Sequence, residues 1–367
     1  MRVCSLCGKR ARIKQKHCNK IFSLQVTAHP SPSIAVVIPN HNYGRYLAEA
    51  VDSVLSQSHA ACQVIVVDDA STDNSREVLQ PYAGQVELVF LPENKGQIQA
   101  YNAGFERVRA EVVVFLDSDD RLKPGALKAI AQAFTPGVTK VHWYADMIDA
   151  QGHALGQRVP HLLVCGDMRQ QLLKHGVLYP SPPGSANAYA TQALAQIMPL
   201  PQHAQERHGA DFFTIYGSAL LGEVATAGEG QALSDYRLHQ VSTQALAFGN
   251  AAQRYSEHDR LVLRNQMFSQ WVASWKSPVL RISRSLNEFS IEKNTFVHAV
   301  FDRPNYIGGL RAGLSRWPEL MRCIAHRPGG MPGKVALTLM CLSILTLPRH
   351  LGMPIARYLC NPTARSN

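Results

Sequence analysis

The 367-residue chain predicts an α/β fold, a mostly parallel sheet flanked by helices and followed by a helical C-terminal extension. Three observations carry this expectation. Four apolar runs, IAVVI (34–38), QVIVV (63–67), VELVFL (86–91) and EVVVFL (111–116), are continuous rather than alternating, as strands covered on both faces of a parallel sheet are. The stretches between them have helical periodicity. Each run also leads into a polar cluster, the side on which open parallel sheets bind ligands.

The elements follow in order. After the first run, YLAEAVDSVLSQ sets Leu47, Val51, Val54 and Leu55 on one helical face. After Asp68 and Asp69, the segment Ala70-Ser-Thr-Asp-Asn-Ser offers N-cap residues to a helix holding Glu77, Val78 and Leu79. A third helix follows the third run, and beyond FLDSDD, Pro124 stands where a helix begins. Past Tyr144 the pattern loosens. Residues 150–187, rich in Gly, Pro and His, read as loops around a short helix near Met168–Lys174, and strand signals return over Phe212–Val224 and Leu233–Leu238. From about Phe248 the sequence turns helical. The expected organisation is a basic extension over 1–30, an α/β domain over 31–245, a helical extension over 246–302 and a basic, apolar tail over 303–367.

The formal net charge of +10 is unevenly spread. Residues 1–30 hold seven Lys or Arg and no acid, and residues 303–367 hold nine against the single acid Glu319, so the body between them is mildly acidic. No nucleic-acid recognition motif accompanies the basic tails, and nucleic acid is not an expected partner. Eight scattered cysteines lack the dense spacing of a secreted disulfide framework, which points to a reducing, cytoplasmic compartment. The N-terminus lacks the apolar region of a signal peptide. The uncharged run VALTLMCLSILTL (335–347) is shorter than the roughly 20 apolar residues of a spanning helix.

The fourth run delivers Asp117, Asp119 and Asp120 to one strand end. Two carboxylates about 5 Å apart repel by about 3 kcal/mol at an effective dielectric near 20, so the cluster calls for a cation. An Asp-x-Asp in this position suits Mg²⁺ or Mn²⁺, held by one or two carboxylates and by the phosphates of a substrate. The plainer alternative is a solvated acidic turn capping the next helix. No Gly-x-Gly-x-x-Gly or other Gly-rich phosphate loop follows the first run, which excludes a nicotinamide dehydrogenase and a sugar nucleotidyltransferase.

Four motifs stand in order along the chain: AVVIPNHNYGRYLAEAVDSVLSQ, VIVVDDASTDNS, PENKGQIQAYNAGF and VVVFLDSDDRLKPGAL. Together they resemble the family 2 glycosyltransferases, over about Ile34–Ser242. The resemblance implies a GT-A (Rossmann-like) fold and an inverting, metal-dependent transfer of a sugar from a nucleotide-diphosphate donor, UDP-linked by expectation, to a hydroxyl of a glycan or lipid-linked acceptor. Cell-surface glycan or polysaccharide synthesis is the implied setting. It further implies that Pro39 and Asn40 begin the loop lining the base, that Asp69 accepts a hydrogen bond from the base with Asp68 beside it, and that Asp117 contacts the ribose or the metal. Asp119 would bind the divalent cation, with Asp120 orienting either neighbour.

The same resemblance marks Asp211, in HGADFFTIYG, as the general base, and His239, in YRLHQVST, as a group reaching the metal or the diphosphate. Gly96 and Gly104 would allow tight turning and close helix packing. Two departures stand out: Tyr101 replaces an Arg common in relatives, with Lys95 as the substitute cation, and Ala210 replaces the Glu that often precedes the base. They leave as alternative a non-catalytic nucleotide-sugar-binding protein that retains the fold.

At the N-terminus, Cys4, Cys7, His17 and Cys18 have the ligand types of a small zinc site, in a spacing that matches no standard finger. In the C-terminal tail, Arg311, Arg316, Arg322, Arg327, Lys334, Arg349 and Arg357 interleave with Leu, Ile and Trp317. Such a pattern suits either peripheral contact with the inner face of an anionic membrane or a helical cap on the rest of the fold.

Overall fold

All seven residues of β1 (Ile34–Asn40) are buried, and its apolar side chains alternate between two layers. Val37 packs in one layer with Ile65 and Val67 of β2 (Gln63–Asp68) and Val113 and Phe115 of β4 (Val112–Phe115). Ile34, Val36 and Ile38 pack in the other with Val64, Val66, Val112 and Val114. The period of two is that of any strand, and the runs read as continuous because both faces are covered. Each such side chain contributes about 1.5–3 kcal/mol by its burial.

The computed structural model describes residues 31–239, 256–275, 277 and 279–360. Contacts divide the chain into two units, Met1–Pro32 and Ser33–Asn367, and the described residues belong almost wholly to the second. The expected zinc ligands Cys4, Cys7, His17 and Cys18 lie outside the described residues.

The main sheet has the order β10-β6-β9-β4-β1-β2-β3, with β3 at Glu87–Phe90, β6 at Val138–His142, β9 at Asn187–Ala190 and β10 at Glu223–Thr226. β1 pairs in parallel with β2 and β4, β2 with β3, and β6 with β10. β9 alone runs antiparallel, between β4 and β6. β3 departs from the expectation of two covered faces: it is an edge strand, and Phe90 is exposed. A second sheet orders β5 (Arg121–Leu122), β11 (Ala232–Arg237), β7 (Tyr144–Ile148) and β8 (Ala154–Val159).

Helices cover both layers. Leu47, Val51 and Val54 of α1 (Gly44–Leu55) and Leu127 and Ile130 of α4 (Ala126–Ala133) complete the layer of Val36. Between these helices in sequence lie the short α2 (Ser75–Leu79) and α3 (Gln97–Phe105). Ile98 of α3, Phe213 of α6 (Ala210–Leu221) and Phe268 and Trp271 of α7 (Ser256–Ser274) complete the layer of Val37. The one-turn α5 (Thr191–Leu194) follows β9.

Two sequence readings are corrected. Phe212–Val224 is not a strand region: Ala210–Leu221 is helix α6, and only Glu223–Thr226 is extended. Ten of the twelve α6 residues are buried, and a helix apolar on all sides cannot be told from a buried strand by periodicity. Residues 150–187 are not loops alone, since they contain β8, whose residues alternate between exposed and half-buried on a sheet edge.

Beyond α7, four helices, α8 (Phe289–Phe301), α9 (Tyr306–His326), α10 (Met331–Thr346) and α11 (Arg349–Cys360), close on a core of their own. Phe296, Leu320, Ile324, Cys341, Ile344 and Leu359 lie at its centre. The basic, apolar tail is therefore folded as far as Cys360. No helix of the described residues is long and apolar enough to cross a membrane. Cys62, Cys323, Cys341 and Cys360 are free thiols.

Candidate active site

The ends of β1, β2 and β4 and the start of α6 bring the expected functional residues to one edge of the main sheet. Asn40, following Pro39 at the end of β1, is buried and donates from Nδ2 to Asp68 Oδ1 at 2.9 Å and to Ser71 Oγ at 3.1 Å. Asp69 turns away from α2 and accepts the backbone N–H groups of Lys95 and Gly96 at 2.8 and 2.6 Å. It thereby ties the end of β2 to the loop that opens α3 rather than capping the helix after its own strand. Each carboxylate oxygen keeps a further acceptor site.

The loop needs its glycine. Gly96 has φ +87°, and a Cβ there would lie 2.6 Å from the Arg207 carbonyl oxygen. The Lys95 ammonium does not enter the carboxylate cluster. It pairs with exposed Glu93 at 3.0 Å, because the backbone N–H rather than the side chain of this residue is turned inward. Nothing in the described structure makes it the substitute for a missing arginine.

Asp117 continues β4 and donates its backbone N–H to Ser185 Oγ at 3.0 Å, while Gln97 Nε2 approaches its carboxylate at 3.3 Å. Among the described residues no Lys or Arg side chain pairs with it. Burial, with Asp119 and Asp211 nearby, pushes its carboxyl up to about 7. Asp120 is buried deeper, and burial, with Asp119 and Asp117 nearby, raises its carboxyl well above the ordinary range. One of its oxygens accepts the backbone N–H of Arg237 at 2.8 Å, and the other has no hydrogen-bond partner among the described residues.

Asp119 Oδ2 lies 2.7 Å from His239 Nε2, so the structure joins these two predicted residues directly. The imidazole is flanked by Tyr43 and Tyr46, with ring centroids 5.4 and 5.6 Å away. Behind the pair, Arg237 donates from Nε to the Asp119 carbonyl at 2.7 Å and from its guanidinium to Glu49, holding the Asp-x-Asp turn against α1 and β11. Arg237 went unnoticed in the sequence, although it sits within YRLH.

Asp211 stands in the first turn of α6, and its carboxylate accepts the N–H of Phe212 at 2.8 Å. Burial raises its pKa, and the Arg264 guanidinium works against that rise. Arg264 is itself paired with buried Glu206, Nε to Oε2 at 2.9 Å. Asp211 and Asp117 converge on Gly184, another residue that sequence reading passed over. A methyl group there would lie 3.3 Å from Asp211 Cβ, 3.6 Å from Asp117 Oδ2 and 3.2 Å from the Tyr101 hydroxyl. The signal was present as a glycine and a serine, Gly184 and Ser185, closing a proline-rich segment.

Tyr101 does not replace the cation expected at its position. Its ring stacks on Phe115 at 4.0 Å, and its hydroxyl is buried with no hydrogen-bond partner among the described residues. Asn102 holds the chain at Leu200, accepting its N–H at 2.7 Å and donating to its carbonyl at 3.2 Å. Gly104 lets α3 settle on β1, for a Cβ there would meet Val37 Cγ1 at 2.4 Å.

As to a metal, no three His, Cys, Asp or Glu side chains of the described residues converge into a complete ligand set. The donors present, Asp117 and Asp119 beside His239, and the uncompensated charge of Asp117 fit a hard cation that takes few protein ligands and completes its shell from phosphate and water.

Residues 35–183 match the family model described as Glycosyl transferase family 2. The chain is 34% identical over 247 residues, 65% of its length, to an uncharacterized glycosyltransferase of Nostoc sp., of which it covers 75%. It is 41% identical over 100 residues, 26% of its length and 40% of the relative's, to TuaG of Bacillus subtilis, a putative teichuronic acid biosynthesis glycosyltransferase. Among solved structures it resembles residues 1–349 of S. aureus TarS, with a TM-score of 0.49 and 18% identity over 91% of each chain. With four motifs ending at the clustered strand ends and a relative matched over three quarters of its length, the chain belongs to glycosyl transferase family 2 and is a glycosyltransferase.

Proposed function

We propose that this glycosyltransferase moves a sugar, with inversion, from a nucleoside-diphosphate donor to an acceptor hydroxyl in the synthesis of a cell-surface glycan. The observation that carries the reading is the convergence on Gly184 of the Asp117 carboxylate, from the end of β4, and the Asp211 side chain, from α6. The surface-glycan setting is supported by the likeness to TuaG, a putative teichuronic acid biosynthesis glycosyltransferase, and a UDP-linked donor is the first to test.

In this reading Asn40 and Asp69 shape the base pocket, and Asp117 and Asp119 with His239 would hold Mg²⁺ or Mn²⁺. Such an ion, when bound, neutralises charge on the departing diphosphate. Asp211 is the general base. The acceptor oxygen bonds to the anomeric carbon as the bond from that carbon to the diphosphate oxygen breaks; the hydroxyl proton passes to the Asp211 carboxylate, and the nucleoside diphosphate leaves. Burial, by raising the pKa of Asp211, makes it a stronger base than an exposed aspartate.

Calorimetric titration of UDP and of GDP, with Mn²⁺ and with EDTA, tests the donor site. Metal-dependent binding of one nucleotide, lost in Asp119→Ala, is the expected outcome. Binding that ignores EDTA and the substitution would overturn the metal assignment, and binding of neither nucleotide would overturn the donor assignment.

A further inference from the structure

The helical extension turns apolar side chains outward as well as inward. On α10, Cys341, Ile344 and Leu345 face the core, while Val335, Leu339 and Leu342 are 50%, 56% and 44% exposed. Their spacing of four and then three residues sets them on one stripe, and Thr346, also exposed, extends it. A helix on the surface of a soluble protein ordinarily turns polar residues that way; here no charged residue interrupts the run from Val335 to Leu347.

The neighbouring helices continue the pattern. Tyr306 donates its hydroxyl to the Thr346 carbonyl at 3.0 Å, joining the start of α9 to the end of α10. From that start, Ile307 and Leu314 of α9 are exposed, as is Leu351 on α11. The same helices carry exposed cations, Arg311 between Ile307 and Leu314 on α9 and Arg349 and Arg357 on α11. The one acid beyond residue 302, Glu319, is engaged by Arg322 and by Asn287. The surface thus combines apolar side chains with uncompensated positive charge.

We propose that this outer face of α9, α10 and α11 docks on an anionic lipid bilayer, with α10 lying along the interface. Its 16 residues span about 24 Å at 1.5 Å per residue, less than the roughly 30 Å of a hydrocarbon core. Interfacial helices of this kind bind through buried apolar area together with attraction to anionic headgroups. The charge selects the partner, because apolar side chains on helices with a large excess of exposed cations complement anionic lipid and not a second copy of the same cationic surface.

The test is flotation of the full chain with vesicles of phosphatidylcholine alone and of phosphatidylcholine and phosphatidylglycerol mixed about 2:1. Binding should require phosphatidylglycerol and weaken as salt rises. The variant Val335→Asn/Leu339→Asn/Leu342→Asn should keep its melting temperature and lose at least about tenfold in binding. Arg349→Gln/Arg357→Gln, at exposed positions that leave the core untouched, should lose about fivefold per cation. The proposal is overturned if the wild-type chain does not float, if it binds neutral vesicles equally, or if the folded asparagine variant binds undiminished. It is also overturned if the chain self-associates through this face, shown by a dimer that the asparagine variant abolishes while vesicle binding is absent.

Discussion

Replacing Arg264 by Met should unsettle the floor of the site without touching a substrate. Glu206, which Arg264 grips through Nε at 2.9 Å and through a second nitrogen at 3.3 Å, is only 2% exposed. The substitution leaves a carboxylate buried beside Gly209, at the entry to α6, with one remaining hydrogen bond, from the N–H of His208. Breaking a buried pair from one side costs about 3–5 kcal/mol. The Arg264 side chain is 21% exposed, so water offsets part of this, and about 3 kcal/mol is expected. At about 2 °C per kcal/mol for a chain of this size, the melting temperature should fall by about 6 °C. Adding Glu206→Gln removes the stranded charge and should restore more than half of the loss. The assay is urea and thermal denaturation of both single variants and the double variant. A loss below about 1 kcal/mol for Arg264→Met, or no recovery in the double variant, would refute the argument that the pair is buried and mutually dependent.

Asp211→Asn should lower kcat by about 10²–10⁴ while leaving nucleotide affinity within about twofold; a retained kcat removes Asp211 as the base. Gly104→Ala should destabilise the fold by about 1 kcal/mol net, since crowding against Val37 and Val67 outweighs a helix-propensity gain of similar size, and a rise in melting temperature would contradict the packing. Tyr101→Phe should raise stability by about 1 kcal/mol, because it removes a buried hydroxyl that has no partner among the described residues. A loss of stability on denaturation would mean that the hydroxyl is satisfied in solution.

Much of the fold is legible in the sequence. The four apolar strands and the helices between them follow from periodicity, whereas Asn40, Asp69, Asp117, Asp119, Asp211 and His239 are marked by the resemblance to family 2 glycosyltransferases. Periodicity failed where burial was total: α6 is apolar on every side, so strand and helix gave the same pattern. It failed again at β8, an edge strand with little apolar content. Side-chain direction was the other blind spot. A lysine in a site loop suggested a cation at the site, but Lys95 contributes its backbone N–H inward and its charge outward. Contacts between distant segments, such as Gly184 against Asp211 or Arg264 against Glu206, have no local signature at all.

The reversed direction of β9 has a consequence for how such an enzyme changes its taste. Parallel strands offer the site only the loops that leave them. Because β9 enters the sheet from the opposite end, the loop that precedes it, carrying Gly184 and Ser185, is brought to the same edge as the carboxylates. The excursion from β8 to β9 is held between its ends only by isolated bridges, Gly166 to Val224 of β10 and Val177 to Asn287, and doubling the length of the stretches between these points would cost only about 0.6 kcal/mol in closure entropy. Insertions and deletions there could remodel what the acceptor meets while the strands that carry Asn40, Asp69 and Asp117 inherit their arrangement unchanged.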